Sequence, residues 1–216
     1  MNAATHHDAV TRRILDAAGP VFAERGFRDA TVRDICRRAH VNIAAVNYYF
    51  GGKQRLYAAT LKHGAQVALA KFPPDAGLRA GASPKEALYV FVWSFLWRFL
   101  EMGAPEWHGK LCAREMVEPT AALDDLVREV IVPLSRRLHG IVRALLGPRA
   151  SEDRVQRAQL SIVGQCLLYH HQRPVLERLF GPQQPSARNI ERLARHITEF
   201  SLGALRHLRT TKETRA

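Results

Sequence analysis

An all-α fold is predicted by three features of the chain. Helix-opening residues recur from end to end, apolar residues return at intervals of three and four between them, and no stretch sustains the alternation of a half-buried strand. A first helix is predicted over about 8–25. It would bury Ile14, Leu15, Ala18, Val21 and Phe22, and Gly26 supplies a left-handed stop. Thr31 opens a short second helix, with Asp34 three residues on as the acidic member of a capping box. After a three-residue turn Asn42 caps a third short helix, NIAAVNYYF, which Gly51-Gly52 ends before a fourth begins near Lys53.

The segment from Phe72 to Ser83 holds adjacent prolines and two glycines and reads as a loop. It divides residues 1–52, with a connecting helix over 53–71, from a second part over 73–216. Ser83-Pro84-Lys85-Glu86 combines an N-cap, an N1 proline and an N3 glutamate, opening a helix through about Met102. Pro105 starts another. Thr120 begins a long helix with a stripe of Leu123, Val127, Val130, Leu134, Leu138, Ile141 and Leu145, ending at Gly147 and bent at Pro133. Ser151 caps a helix to about His171, interrupted before Pro174. Ser186 caps the last, whose predicted stripe is Ile190, Leu193, Ile197, Phe200, Ala204 and Leu208.

Composition narrows the functional classes. The 216 residues are 47% hydrophobic and 24% charged, the balance of a folded globular chain rather than a disordered one. Thirty-two Lys and Arg against twenty Asp and Glu leave a formal charge of +12, which suits a polyanionic partner. Residues 1–72 carry eleven basic and five acidic groups, and residues 73–216 carry twenty-one and fifteen, so each part is +6 although the second is twice as long. Cys36, Cys112 and Cys166 are far apart and form no CxxC pair, which argues against a disulfide framework and fits a reducing cytoplasm. The longest apolar run, Ala87 to Leu100, falls short of the ~20 residues a membrane helix needs and contains Arg98. No membrane span or secretory leader is expected.

The two short helices around residues 31–50, buttressed by an amphipathic helix before them, have helix-turn-helix spacing. Val41, Val46 and Phe50 take core spacing, which turns Ile43, Ala44, Asn47 and Tyr48 outward. Asn47, and with it Asn42, has the donor and acceptor to pair with adenine, Ile43 and Ala44 fit thymine methyls, and the hydroxyls of Tyr48 and Tyr49 reach phosphate oxygens. Thr31, Arg33 and Lys53 stand near helix starts, where backbone N–H groups already favour phosphate. The alternative on spacing alone is an ordinary three-helix core with a polar surface.

The stretch TVRDICRRAHVNIAAVNYYFGGKQRLYAATL, from Thr31 to Leu61, resembles the DNA-binding domain of the TetR/AcrR family of bacterial transcriptional regulators. With LCAREMVEPT and QCLLYHHQRPVLERLFG further on, the chain is similar to the CecR-type subgroup. The resemblance implies an N-terminal three-helix helix-turn-helix DNA-binding domain joined to a larger helical ligand-binding and dimerisation domain. It also implies a homodimer through the helices at about 152–171 and 187–208, a double-stranded DNA operator and a small-molecule effector. The sequence departs from the family at His40, where the turn usually has glycine, and at Asn47 before Tyr48-Tyr49.

In the second part Tyr89, Trp93 and Trp97 alternate with Phe91, Phe95 and Phe99 on opposite faces of one helix, which must therefore be central to its domain. Trp93, Trp97 and Trp107 as walls, with Arg114, Glu115, Gln165, Tyr169 and His170 as polar anchors, are the candidate effector pocket. The alternative makes the tryptophans core and Arg114 and Glu115 interhelical ion pairs. His108 and Cys112, four apart, with His170-His171, have ligand chemistry but no supporting carboxylate or CxxC context, so neither metal nor cofactor is expected. No nucleophile and base pair, GxSxG, HExxH or phosphate-cradling loop is present, which weighs against an enzyme. The competing readings are a sequence-neutral architectural DNA binder and a helical small-molecule or metal-dependent enzyme.

Overall fold

The computed structural model describes residues 3–100, 105–182 and 186–211, the side chains of 3–6 excepted. Among these residues all regular structure is helical: α1 (Ala3–Asp29), α2 (Val32–Ala39), α3 (Ile43–Phe50), α4 (Lys53–Lys71), α5 (Pro84–Phe99), α6 (Glu106–Val117), α7 (Ala122–Leu126), α8 (Val132–Leu146), α9 (Glu152–His171), α10 (Arg173–Phe180) and α11 (Ala187–Thr210). A π turn, Val127–Ile131, joins α7 to α8. None of the helices is long and apolar enough to cross a membrane.

The chain forms two compact units. The first comprises α1 to α4 together with α6, α7 and the π turn; the second comprises the loop over 72–83, α5 and α8 to α11. The loop therefore separates α1 to α4 from α5, but not from α6 and α7, which follow it in sequence and pack with the first unit.

In the first unit Ile14, Ala18 and Phe22 of α1 are fully buried with Ile35, Val46, Leu56, Leu61 and Leu111. Gly26, at φ 75 and ψ 179, breaks the α1 run as its lack of a β-carbon allows. Two other glycines make room for an aromatic ring. A β-carbon at Gly19 would stand 2.1 Å from the Trp107 ring and one at Gly64 2.8 Å from it, so α1 and α4 leave a slot that only glycine on both sides permits.

The second unit is built around α5, whose start is set by a complete capping box. Glu86 N–H donates to Ser83 Oγ at 3.3 Å, and Ser83 N–H donates to Glu86 Oε2 at 2.8 Å. From Leu88 to Phe99 every residue is buried or half-buried, and α8, α9 and α11 all pack on the helix. Both aromatic stripes are thus covered.

Three predicted details differ in the structure. The helix expected from Thr120 to Gly147 is interrupted, because Pro133 has no N–H to donate and its ring crowds the carbonyl four residues back. The chain widens into the π turn just ahead of it, and the buried residues are Ala122 and Leu126 before the turn and Leu138, Val142 and Leu146 after it. In α11 the inward stripe runs Ile190, Ala194, Ile197, Ser201 and Leu205, which leaves Phe200 63% exposed and Ala204 exposed. The helix predicted through Met102 has its last helical residue at Phe99, and Met102 lies outside the described residues.

Two expectations follow. Gly64→Ala forces the Trp107 ring from its slot and destabilises the protein by about 1–3 kcal/mol, read as a lower urea midpoint with a shifted tryptophan emission. The Ser83 hydroxyl and backbone N–H hold the Glu86 carboxyl below its usual range. A depressed carboxyl stabilises fully above its unfolded value, and that stability is lost as pH falls through the lowered folded value. The gap in urea midpoint between wild type and Ser83→Ala is therefore present at neutral pH and shrinks once pH drops below the glutamate range.

Candidate nucleic-acid interface and effector cavity

Helix α3 has eight residues and no charged side chain. Its start is fixed by Asn42 Oδ1, which accepts from Ala45 N–H at 2.8 Å, and its end by Gly51 in the left-handed region. Val46 is the fully buried anchor of the helix. Around it Ile43, Ala44, Asn47 and Tyr48 are all exposed, Tyr48 by 78%, while Tyr49 is half-buried beside His7 and Tyr48. Four residues singled out from the sequence thus share one outward face. Asn42 stands at its edge with its side-chain oxygen committed to the cap.

The turn before α3 is a Schellman motif with histidine in glycine's place. His40 takes φ 51 and ψ 49, its N–H donates to Arg37 O, and Val41 N–H donates to Cys36 O. Thr31 Oγ1 caps α2 by accepting from Asp34 N–H at 3.1 Å. Asp34 pairs with Arg25 at 2.5 Å and Arg37 at 2.8 Å, and the Thr31 hydroxyl, with the two guanidiniums, keeps its carboxyl below the usual range. Arg33 is exposed, whereas Lys53 is half-buried, donating to Arg28 O at 2.9 Å and lying 4.9 Å over the Phe27 ring. Exposed Arg38 and Arg55 were not singled out beforehand, although their place beside the turn and the α4 start was visible in the sequence.

The eight candidate effector residues divide between the units. Trp107, Arg114 and Glu115 belong to the first. Trp107 fills its glycine slot, Arg114 lies over Gly26, and Glu115 is fully buried, accepting from Tyr57 O–H at 2.7 Å and from Thr120 N–H and O–H at 2.7 and 2.9 Å. Burial and the Glu115 carboxylate push the Tyr57 phenol upward, so it remains a donor.

Trp93, Trp97, Gln165, Tyr169 and His170 belong to the second unit. Trp93 and Trp97 pack with Phe72, the Trp97 ring stacked on it at 5.0 Å. Gln165 donates to Ser161 O and Ser201 Oγ, and His170 lies against the rings of Phe99 and His171. Tyr169 lines a cavity of about 630 Å³ whose apolar wall includes Leu100, Leu168 and Leu193. Among the described residues its polar lining is Arg173, Asn189, Arg192 and His196, and no carboxylate is among them. Sequence reasoning missed these four; Arg192 and His196 stand four apart on α11, the spacing that puts them on one face. His108 and Cys112 approach within 3.6 Å in the first unit, and among the described residues no three His, Cys, Asp or Glu side chains gather as a metal site would require.

A short outward-facing helix locked on a buried anchor, joined to a separate helical unit with its own cavity, defines the class of helix-turn-helix regulators. Residues 14–60 match the family described as bacterial regulatory proteins, tetR family, and residues 84–205 match the C-terminal domain of the HTH-type transcriptional dual regulator CecR. The HTH-type transcriptional dual regulator CecR of Shigella flexneri is 30% identical over 166 residues, spanning 73% of this chain and 74% of that one. Among solved structures, the TetR family transcriptional regulator PfmR of Thermus thermophilus superposes with a TM-score of 0.61 at 19% identity over 88% of this chain and 97% of that chain. A tetR-family bacterial regulatory protein from Rhodococcus RHA1 does so with 0.66 at 17% identity, over 91% and 96%. The chain is a TetR-family transcriptional regulator of the CecR type.

The left-handed turn yields a prediction. His40→Gly relieves the β-carbon contact that an L-residue meets there, so it raises or leaves unchanged the thermal midpoint, by no more than about 1 kcal/mol of stability. Tyr57→Phe leaves Glu115 short of one partner and lowers stability by about 1–3 kcal/mol in the same melting experiment.

Proposed function

We propose that the protein is a ligand-responsive repressor that binds a pseudo-palindromic operator in double-stranded DNA as a homodimer and is released by a small-molecule effector, acting in the bacterial cytoplasm at the nucleoid. The observation that carries this reading is the uncharged, outward face of α3. Asn47 reads adenine, Ile43 and Ala44 meet thymine methyls, and Tyr48, Tyr49, Thr31, Arg33 and Lys53 hold the phosphates. Residues 1–52 form the reading domain, 53–71 the connection, and 73–216 the part that senses and dimerises.

The dimer is supported by the free faces of α9 and α11. Leu160 (62% exposed) and Leu168 lie with Gly164 on one face of α9, and Phe200 with Gly203 and Ala204 on one face of α11. A β-carbon at either glycine would meet nothing, so both faces admit a close helix neighbour. Two such copies would place their α3 helices about 34–36 Å apart, one turn of DNA. The effector would occupy the cavity of the second unit and favour the state that does not bind DNA.

Selection of bound sequences from a random duplex library at near-physiological salt tests the reading. An inverted repeat should be enriched, and Asn47→Ala should lose discrimination at an A·T position by about 1–3 kcal/mol. Lys53→Ala should weaken binding to all sequences about equally. Binding without any enriched sequence would replace this reading with that of an architectural DNA binder.

A further inference from the structure

Between the end of α1, α4 and the end of α6, the first unit holds a cavity of about 270 Å³, less than half the size of the one in the second unit. Phe27 and Tyr57 form its aromatic wall, with ring centres 5.1 Å apart, and Val117, 80% exposed, adds an apolar edge. Its polar groups fall into two sets. The Tyr57 and Thr120 hydroxyls both donate to the buried Glu115 and have no proton left to give. Arg28, Arg114 and Glu118 line the same space, and among the described residues none of these three side chains has a hydrogen bond or an ion pair. The Arg114 head is located from two sides. A β-carbon at Gly26 would stand 2.4 Å from its Nη1, so the guanidinium rests on bare backbone next to Phe27. Burial and the Glu115 bond push the Tyr57 phenol up, and the Arg114 charge acts against that rise, which sets the head near Tyr57 as well.

A half-buried guanidinium beside two rings, with its donors uncommitted, suits a planar anion: its fork matches a carboxylate and its plane stacks on an aromatic body. Exposed Arg28 brings a second set of donors to the same cavity. Glu115 is already met by three hydrogen bonds, and exposed Glu118 offsets one of the two positive charges, which favours a monoanion over a dianion. We propose that the first unit contains a second small-molecule site, in which Arg114 and Arg28 take the carboxylate of a small aromatic monoacid whose ring lies against Phe27 and Tyr57. The volume suits a single ring with a short side chain. The site goes beyond the effector reading, whose ligand occupies the second unit. Its link with DNA runs through Lys53, which donates to Arg28 O and lies over the Phe27 ring, and this link rests on the phosphate role given to Lys53 above. A bound carboxylate adds negative charge beside Lys53, so an occupied site weakens binding to every DNA sequence alike.

Calorimetric titration of the full-length protein, without DNA, uses sodium 3-phenylpropanoate, 3-phenylpropan-1-ol and acetate. The aromatic acid binds about tenfold more tightly than either of the others. Arg114→Met removes the preference for acid over alcohol, Arg28→Gln reduces it, and Glu118→Gln raises it by roughly two- to fivefold. Arg192→Gln, in the cavity of the second unit, leaves it unchanged. Acetate that binds as tightly as the aromatic acid overturns the aromatic ligand. Equal affinity for acid and alcohol, failure of all three probes, or a preference abolished by Arg192→Gln and kept in Arg114→Met overturns the site. Melting curves without probe cover a misfolded variant: where Arg114→Met melts well below wild type, the two exposed positions decide. Opposite shifts in acid affinity for Arg28→Gln and Glu118→Gln then uphold the site, and shifts in the same direction overturn it. Binding to a random duplex is measured separately, with 3-phenylpropanoate expected to weaken it several-fold in wild type and not in Arg28→Gln. Acid that binds through Arg28 and Arg114 without changing DNA affinity upholds the site and overturns its link with Lys53.

Discussion

An eight-residue helix does not hold itself together in water, because nucleation costs more than one or two turns of hydrogen bonds return. Everything about the first unit answers that constraint on α3. Asn42 and Gly51 satisfy its two ends, the Schellman turn at His40 sets its entry from α2, and Val46 pins it to a core supplied by α1, α2 and α4. Stability borrowed in this way frees the outer face from any packing duty. Ile43, Ala44, Asn47 and Tyr48 are therefore available to touch something else, and their exposure costs the fold little.

The same unit is tied together from outside the first seventy residues. Glu115 of α6 receives the Tyr57 hydroxyl of α4 and both donors of Thr120, so a carboxylate that would be expensive to bury is satisfied three times. Trp107, about two turns earlier on the same helix, enters the glycine slot between α1 and α4. A rearrangement of α6 would have to break a buried network or move a large ring in a slot with no slack. Such contacts have few intermediate arrangements, which is what a two-state device requires.

Much of this was legible in the sequence because it is local. Caps at Thr31, Asn42, Ser83, Ser151 and Ser186 act within three residues of themselves, and each accepts the backbone N–H that its spacing implies. The outward face of α3 followed from period alone. What the sequence did not disclose depends on distant partners. The sequence left Glu115 open between a pocket anchor and an interhelical pair, and its buried network with Tyr57 and Thr120, like the glycine slot around Trp107, depends on partners that no local spacing indicates. The α8 stripe slipped because a π turn adds a residue that no pattern announces, and in α11 steps of three and four residues fit the period equally well, so the sequence did not separate Leu193 and Phe200 from the buried Ala194 and Ser201.

The placement of charge separates two tasks. No charged residue lies on α3, while exposed Arg33 and Arg38 flank it on α2 and Arg55 on α4, with no carboxylate paired to them among the described residues. Asp34 occupies Arg25 and Arg37 instead, and so holds α2 against α1 without drawing on those three. On the proposed reading, phosphate attraction comes from Arg33 and Lys53, with Arg38 and Arg55 beside them, and falls with salt for every DNA sequence alike, since it depends on counterion release. Discrimination comes from Ile43, Ala44 and Asn47, whose contacts carry no net charge and leave the ratio between operator and random DNA nearly independent of salt. A reading helix with lysines in those positions would bind more tightly and choose less well. On that reading, keeping α3 neutral on a chain of net charge +12 is the feature that would let a strongly basic protein be selective.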